Sequence, residues 1–100
     1  MANYSKYIKH GVKVVATAGT HLVLADDTAC QVVIIQAQTD NTGAIAVGAD
    51  EVDATIATGN GIILYSGDSI TLPVANLADV YIDSTVSGEG VRYIYITEGE

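Results

Sequence analysis

Short apolar runs recur about every 8–12 residues along this chain, a spacing that belongs to small all-β domains. The runs cover residues 12–16, 21–24, 30–38, 44–47, 62–65, 69–74, 79–84 and 91–97. Between them stand the turn-forming stretches "TAGT", "TDNTG", "GADEVD", "GNG", "SGDS" and "SGEG", rich in residues that permit positive φ or bond their own backbone. No stretch of helical period competes with them. Tyr4, Tyr7 and Ile8 are spaced i, i+3, i+4 ahead of Gly11, enough for one helical turn at most. The apolar residues are mainly Val, Ile, Ala and Leu, with six Tyr and no Phe or Trp, side chains that suit a pleated surface. The predicted architecture is a small antiparallel β-sandwich, jelly-roll-like or Greek-key, of about seven to nine short strands.

One hundred residues make one domain. The boundary falls early, with a short N-terminal arm over residues 1–11 and the sandwich over 12–100. Hydrophobic residues are 49% and charged residues 16%, a balance that excludes a disordered chain. The sequence holds neither an apolar run of membrane-spanning length nor a signal-peptide pattern, so the expected product is made in the cytoplasm and has no membrane partner. A single cysteine, Cys30, excludes an internal disulfide framework.

Charge is segregated. The net charge is −8, yet Lys6, Lys9 and Lys13 precede every acidic residue, and Arg92 is the only cation after them. An acidic body repels a phosphate backbone, so nucleic acid is not an expected partner. The basic head is a different object, able to lie on an acidic surface. Tyr4, Lys6, Tyr7, Ile8 and Lys9 are therefore the candidate partner-binding residues, with rings to bury and ammonium groups to make charge-assisted contacts at a rim.

Candidate chemistry is sparse. "GDSITLPV", residues 67–74, begins like the nucleophile motif of a class of lipases and esterases, which seat the serine at a strand-to-helix junction. "ITLPV" does not start a helix, and both histidines, His10 and His21, precede Ser69, so the later Asp-x-x-His of that class is missing. Residues 66–69 read instead as a hairpin turn with Gly67 at positive φ. "DEVDATIATGNG" carries acids but lacks the ligand spacing of a helix-loop-helix calcium loop. Two histidines and one cysteine without close spacing do not make a zinc site. Cys30 reads as a small buried hydrophobe, and the glycine-rich segments lack the features of phosphate loops. Tyr65, Tyr81, Tyr93 and Tyr95 fall on predicted strands, where packing is favoured over a sugar-binding shelf. Ile94 and Ile96 share one face of the last run and Tyr93 and Tyr95 the other, which places that strand centrally or leaves a face for another copy. The expectation is no catalytic residue, no metal and no cofactor.

The segment "GNGIILYSGDSITLPVANLADVYIDSTVSGEGVRYIYI", residues 59–96, together with the upstream "ATAGT" and "CQVVIIQAQTDNTGAIAVG", resembles a family of small virion structural proteins of tailed bacteriophages. The likeness spans residues 12–96 and leaves the basic head outside it. It implies a non-enzymatic β-sandwich of the virion, made in the host cytoplasm. The implied role is that of a head decoration (cement) protein that stabilises the shell through a repeated interface. The implied partners are the major capsid protein or other virion proteins, with self-association into a homo-oligomer, a trimer favoured. A tail, connector or head-fibre component binding host-surface carbohydrate is the alternative it leaves open.

Overall fold

A computed structural model describes residues 8–97. Its eight strands are β1 (Ile8–Val15), β2 (Leu22–Val23), β3 (Val32–Ala37), β4 (Ile45–Gly48), β5 (Ile62–Leu64), β6 (Ser69–Leu72), β7 (Tyr81–Ser84) and β8 (Glu89–Ile96). A 3₁₀ turn, Leu77–Asp79, leads into β7 and is capped by the Asn76 side chain, which accepts from the Ala78 amide at 2.9 Å. The strands form two four-stranded sheets ordered β1-β8-β3-β6 and β2-β7-β4-β5. Every pairing is antiparallel. This is the strand order of an eight-stranded jelly roll, two interleaved Greek keys, so the predicted all-β sandwich is the fold.

The core follows from strand alternation. Val15, Val33, Ile35, Ala37 and Val91 project from the first sheet against Ile45, Val47, Leu64 and Ile82 from the second, with Leu24, Cys30, Leu77 and Val80 closing one end. Tyr93 and Tyr95 extend that inner face, their rings stacked 6.0 Å apart. Across from Tyr93 on the edge strand sits Gly11, where any added Cβ would fall 2.5 Å from the Tyr93 hydroxyl. The glycine leaves room for the ring, which in turn covers the bare backbone.

The outer faces of the two sheets differ. The loop of residues 49–61 folds over the second sheet and packs Val52 and Ala54 on Ala46, Ile63 and Tyr81. Asp83 anchors this cover. Only 1% exposed, its carboxylate accepts the Gly19 amide at 3.1 Å and the Ala54 amide at 2.9 Å, clamping two loops to β7. The first sheet has no such cover among the described residues.

Two sequence expectations are corrected here. Strand β1 begins at Ile8, so residues 8–11 are strand and not arm; Lys9, His10 and Gly11 hid an alternation that full-length pairing with β8 reveals. Residues 66–69 do not close a hairpin, because β5 pairs with β4 in one sheet while β6 pairs with β3 in the other. The segment is a sheet-to-sheet turn, with the Asp68 amide bonded to the Tyr65 carbonyl at 2.8 Å and Gly67 at φ 82° as anticipated. Strand β3 is covered on one face only, Ile34 on the other being 41% exposed. The acidic loop buries Val52 and Ala54.

Candidate functional site

Strand β8 is central, flanked by β1 and β3, and its outward residues organise an open apolar face. The register aligns them in rows. Ile8, Ile96 and Val32 form the first; His10, Ile94, Ile34 and Thr71 the second; Val12, Arg92, Gln36 and Ser69 the third. Val12 is 60% exposed and Ile94 40%. A shallow groove runs across the second and third rows, lined by His10, Val12, Ile34, Arg92 and Ile94 among others. None of the residues in these rows is acidic.

The cations gather on the same two strands. Lys9 and Lys13 stand opposite Tyr95 and Val91, on the inner side of edge strand β1 at the margin of the sandwich, and Arg92 stands on the outer face. Among the described residues the one close contact between a basic side chain and a carboxylate is His21 Nε2 to Asp50 Oδ1, 3.1 Å. Lys9, Lys13 and Arg92 thus have no described carboxylate within ion-pair distance; the Arg92 guanidinium donates to Gln38 Oε1 at 3.2 and 3.3 Å.

Several carboxylates are occupied with their own loops. Asp53 accepts the Thr55 amide and hydroxyl, and these bonds, the amide first, hold its carboxyl below the usual range. Glu89 accepts the amides of Thr42 and Gly43 and the Thr42 hydroxyl; the Thr42 amide is the chief cause of its lowered pKa. Asp68 accepts the Tyr65 amide, and Asp27 the Asn76 side-chain amide. Among the described residues no three His, Cys, Asp or Glu side chains converge as a metal site would require.

Of the five candidate residues, Tyr4, Lys6 and Tyr7 lie outside the described residues. Ile8 and Lys9 are neighbours on β1 but point to opposite faces, Ile8 into the apolar rows and Lys9 toward Tyr95. Sequence reasoning missed Val12, Arg92 and Ile34 as members of this surface. The signal that existed was the two-sided apolar character of residues 91–97.

The other candidates resolve individually. Ser69 opens β6, an exposed edge position, and His10 lies on β1, three strand spacings or about 14 Å across the sheet, far beyond hydrogen-bond reach. His21 packs edge-on to Tyr81 in the second sheet. Cys30 is buried, its thiol donating to the Val74 carbonyl at 3.2 Å, and burial, with Asp79 nearby, pushes its pKa up. Tyr65 is exposed alone in its turn, while Tyr81, Tyr93 and Tyr95 pack against the two cores. No protein family, no curated protein and no solved structure matches this chain.

Proposed function

We propose that this chain is a non-enzymatic structural protein of a bacteriophage virion, a capsid decoration protein that binds the major capsid protein of the head shell. The observation that carries the reading is the cationic margin of edge strand β1. Lys9 and Lys13 stand without described carboxylate partners on a body that is otherwise acidic, and they continue the basic segment that begins at Lys6. Unspent cations at the rim of an apolar surface steer and orient an acidic partner. Two further points support it. The chain's turn-and-strand pattern resembles small phage virion proteins, and jelly rolls serve widely as shell components, a likeness of architecture and so an analogy. Many copies bound weakly on a symmetric shell hold through avidity, which suits a domain this small.

The test is co-sedimentation of the purified protein with particles of the encoding phage from which it has been stripped. Saturable binding that weakens as salt rises is expected, and Lys9→Glu with Lys13→Glu should abolish most of it. Particles that neither contain nor rebind the protein would refute the reading. Hydrolysis of a short-chain nitrophenyl ester by the wild type, lost in Ser69→Ala, would replace it with an enzyme.

A further inference from the structure

We infer that Asn60 is a site of spontaneous deamidation through the Gly61 backbone nitrogen, and that the isoaspartyl product unfastens the loop covering the second sheet. Both residues are exposed within that loop. The Asn60 side chain closes it. Asn60 Oδ1 accepts the Asp53 amide at 2.9 Å, and the Asn60 amide donates to the Asp53 carbonyl at 2.9 Å. Glycine is required next to it, because residue 61 stands at φ 85° and an added Cβ would fall 2.6 Å from Val52 Cγ2 and 2.8 Å from the Val47 carbonyl oxygen. The loop therefore needs a side-chain acceptor at 60 and a bare backbone at 61. That pair sets a carboxamide carbon beside a main-chain nitrogen with no side chain to obstruct it.

The reaction needs only base and water. The Gly61 nitrogen, once it has lost its proton, attacks Asn60 Cγ, an intramolecular step favoured by proximity. The new N–C bond closes a five-membered succinimide as the Cγ–Nδ2 bond breaks and ammonia leaves. Water then opens the ring at either carbonyl. Cleavage at Cγ gives aspartate; cleavage at the main-chain carbonyl carbon of residue 60 gives isoaspartate, whose main chain runs through Cβ and Cγ. The Asp53 amide already donates to Oδ1, the oxygen on which negative charge gathers during the attack, and so stabilises that step.

The other described asparagines lack these conditions. Asn41 is buried with its Nδ2 on the Gly90 carbonyl, and the Thr42 amide that would attack it is held by Glu89 at 2.7 Å. After Asn76, the Leu77 amide is spent on the Thr28 carbonyl at 3.0 Å. Among the described residues no acceptor holds the Gly61 amide.

The two products differ in effect. Aspartate at 60 still offers an oxygen to the Asp53 amide. Isoaspartate adds one carbon to the main chain and converts Cγ and its oxygen into the backbone carbonyl. The clasp on Asp53 is then lost, and Gly61 is displaced from Val52, which packs the loop on the second sheet.

The test is storage of the pure full chain in warm, mildly alkaline buffer for weeks, with peptide mass mapping and electron-transfer fragmentation to tell isoaspartate from aspartate. The peptide holding Asn60 should gain about 1 Da, faster as pH rises, while the peptides holding Asn41 and Asn76 do not change. Asn60→Asp, which keeps the acceptor and so the fold, should gain nothing. In the isoaspartyl fraction the Asp53 amide should exchange with deuterium about tenfold faster, the scale of one hydrogen bond. Native Asn60 that stays intact after the same chain unfolded in urea has converted overturns the inference. So does earlier conversion at Asn41 or Asn76, or an isoaspartyl protein whose exchange over residues 49–61 matches fresh protein. The chemistry is independent of the decoration reading, and neither result bears on the other.

Discussion

Asp83→Ala removes a buried carboxylate that holds two separate loops against the second sheet. The wild-type group accepts the Gly19 and Ala54 amides from a position 1% exposed. Hydrogen bonds to a charged group are worth about 1.5–3 kcal/mol each, and a buried amide left without a partner costs about 1–3 kcal/mol. The two accounts overlap, since they describe the same bonds, and water entering the vacated space recovers part of the loss. The Gly19 amide keeps the Ser84 carbonyl, 3.2 Å away, so a destabilisation of about 2–3 kcal/mol is the expected outcome, a large fraction of the roughly 5–15 kcal/mol that a domain possesses. Urea unfolding of wild type and variant measures it through the shift in midpoint at constant slope. Native-state hydrogen exchange adds the local readout, with the Ala54 amide, whose bond to Asp83 is buried, losing protection first. Asp83→Asn should fall between, because its amide can turn only one oxygen toward two donors. A loss under about 1 kcal/mol for Asp83→Ala, with the Ala54 amide still protected, would refute the claim that this carboxylate fastens the cover.

Three other outcomes are expected. Glu89, whose pKa is depressed chiefly by the Thr42 amide, contributes stability that is complete above the ordinary Glu value of about 4.3 and lost as pH falls through its lower folded pKa; thermal midpoints in acid should therefore drop more steeply in wild type than in Glu89→Gln. Cys30 should react slowly with a thiol reagent in the native protein, and Cys30→Ser should cost only about 1 kcal/mol, because the hydroxyl can keep the bond to the Val74 carbonyl; rapid native labelling contradicts the burial. Ser69→Ala should cost at most about 1 kcal/mol by denaturant titration, whereas Gly67→Val should cost more, since φ 82° is strained for a β-branched residue.

Much of the architecture was legible because turns carry strong local signals. All eight apolar runs became strands, and "SGDS" announced its positive-φ glycine at Gly67. What failed was whatever depends on partners distant in the chain. The start of β1 was hidden because "IKHG" shows no apolar alternation until β8 is laid beside it. Asp83 gave no sign of its role, because its partners Gly19 and Ala54 are 64 and 29 residues away in sequence. The turn at Ser66 was misread as a hairpin because local chemistry specifies the bend but not which sheet each arm joins. The candidate surface was half visible. Ile94 and Ile96 marked the outward face of the last strand, but Val12, Ile34 and Arg92 joined it only through the order β1-β8-β3.

The most direct test of the proposed contact role is hydrogen–deuterium exchange on the protein free and bound to the particle. Strand β1 is an edge, so its amides that do not bond β8 face outward. Slower exchange in residues 8–15 on the bound protein, with residues 49–61 unchanged, is the predicted result. Protection confined to residues 49–61, or none anywhere on particles that carry the protein, would contradict it.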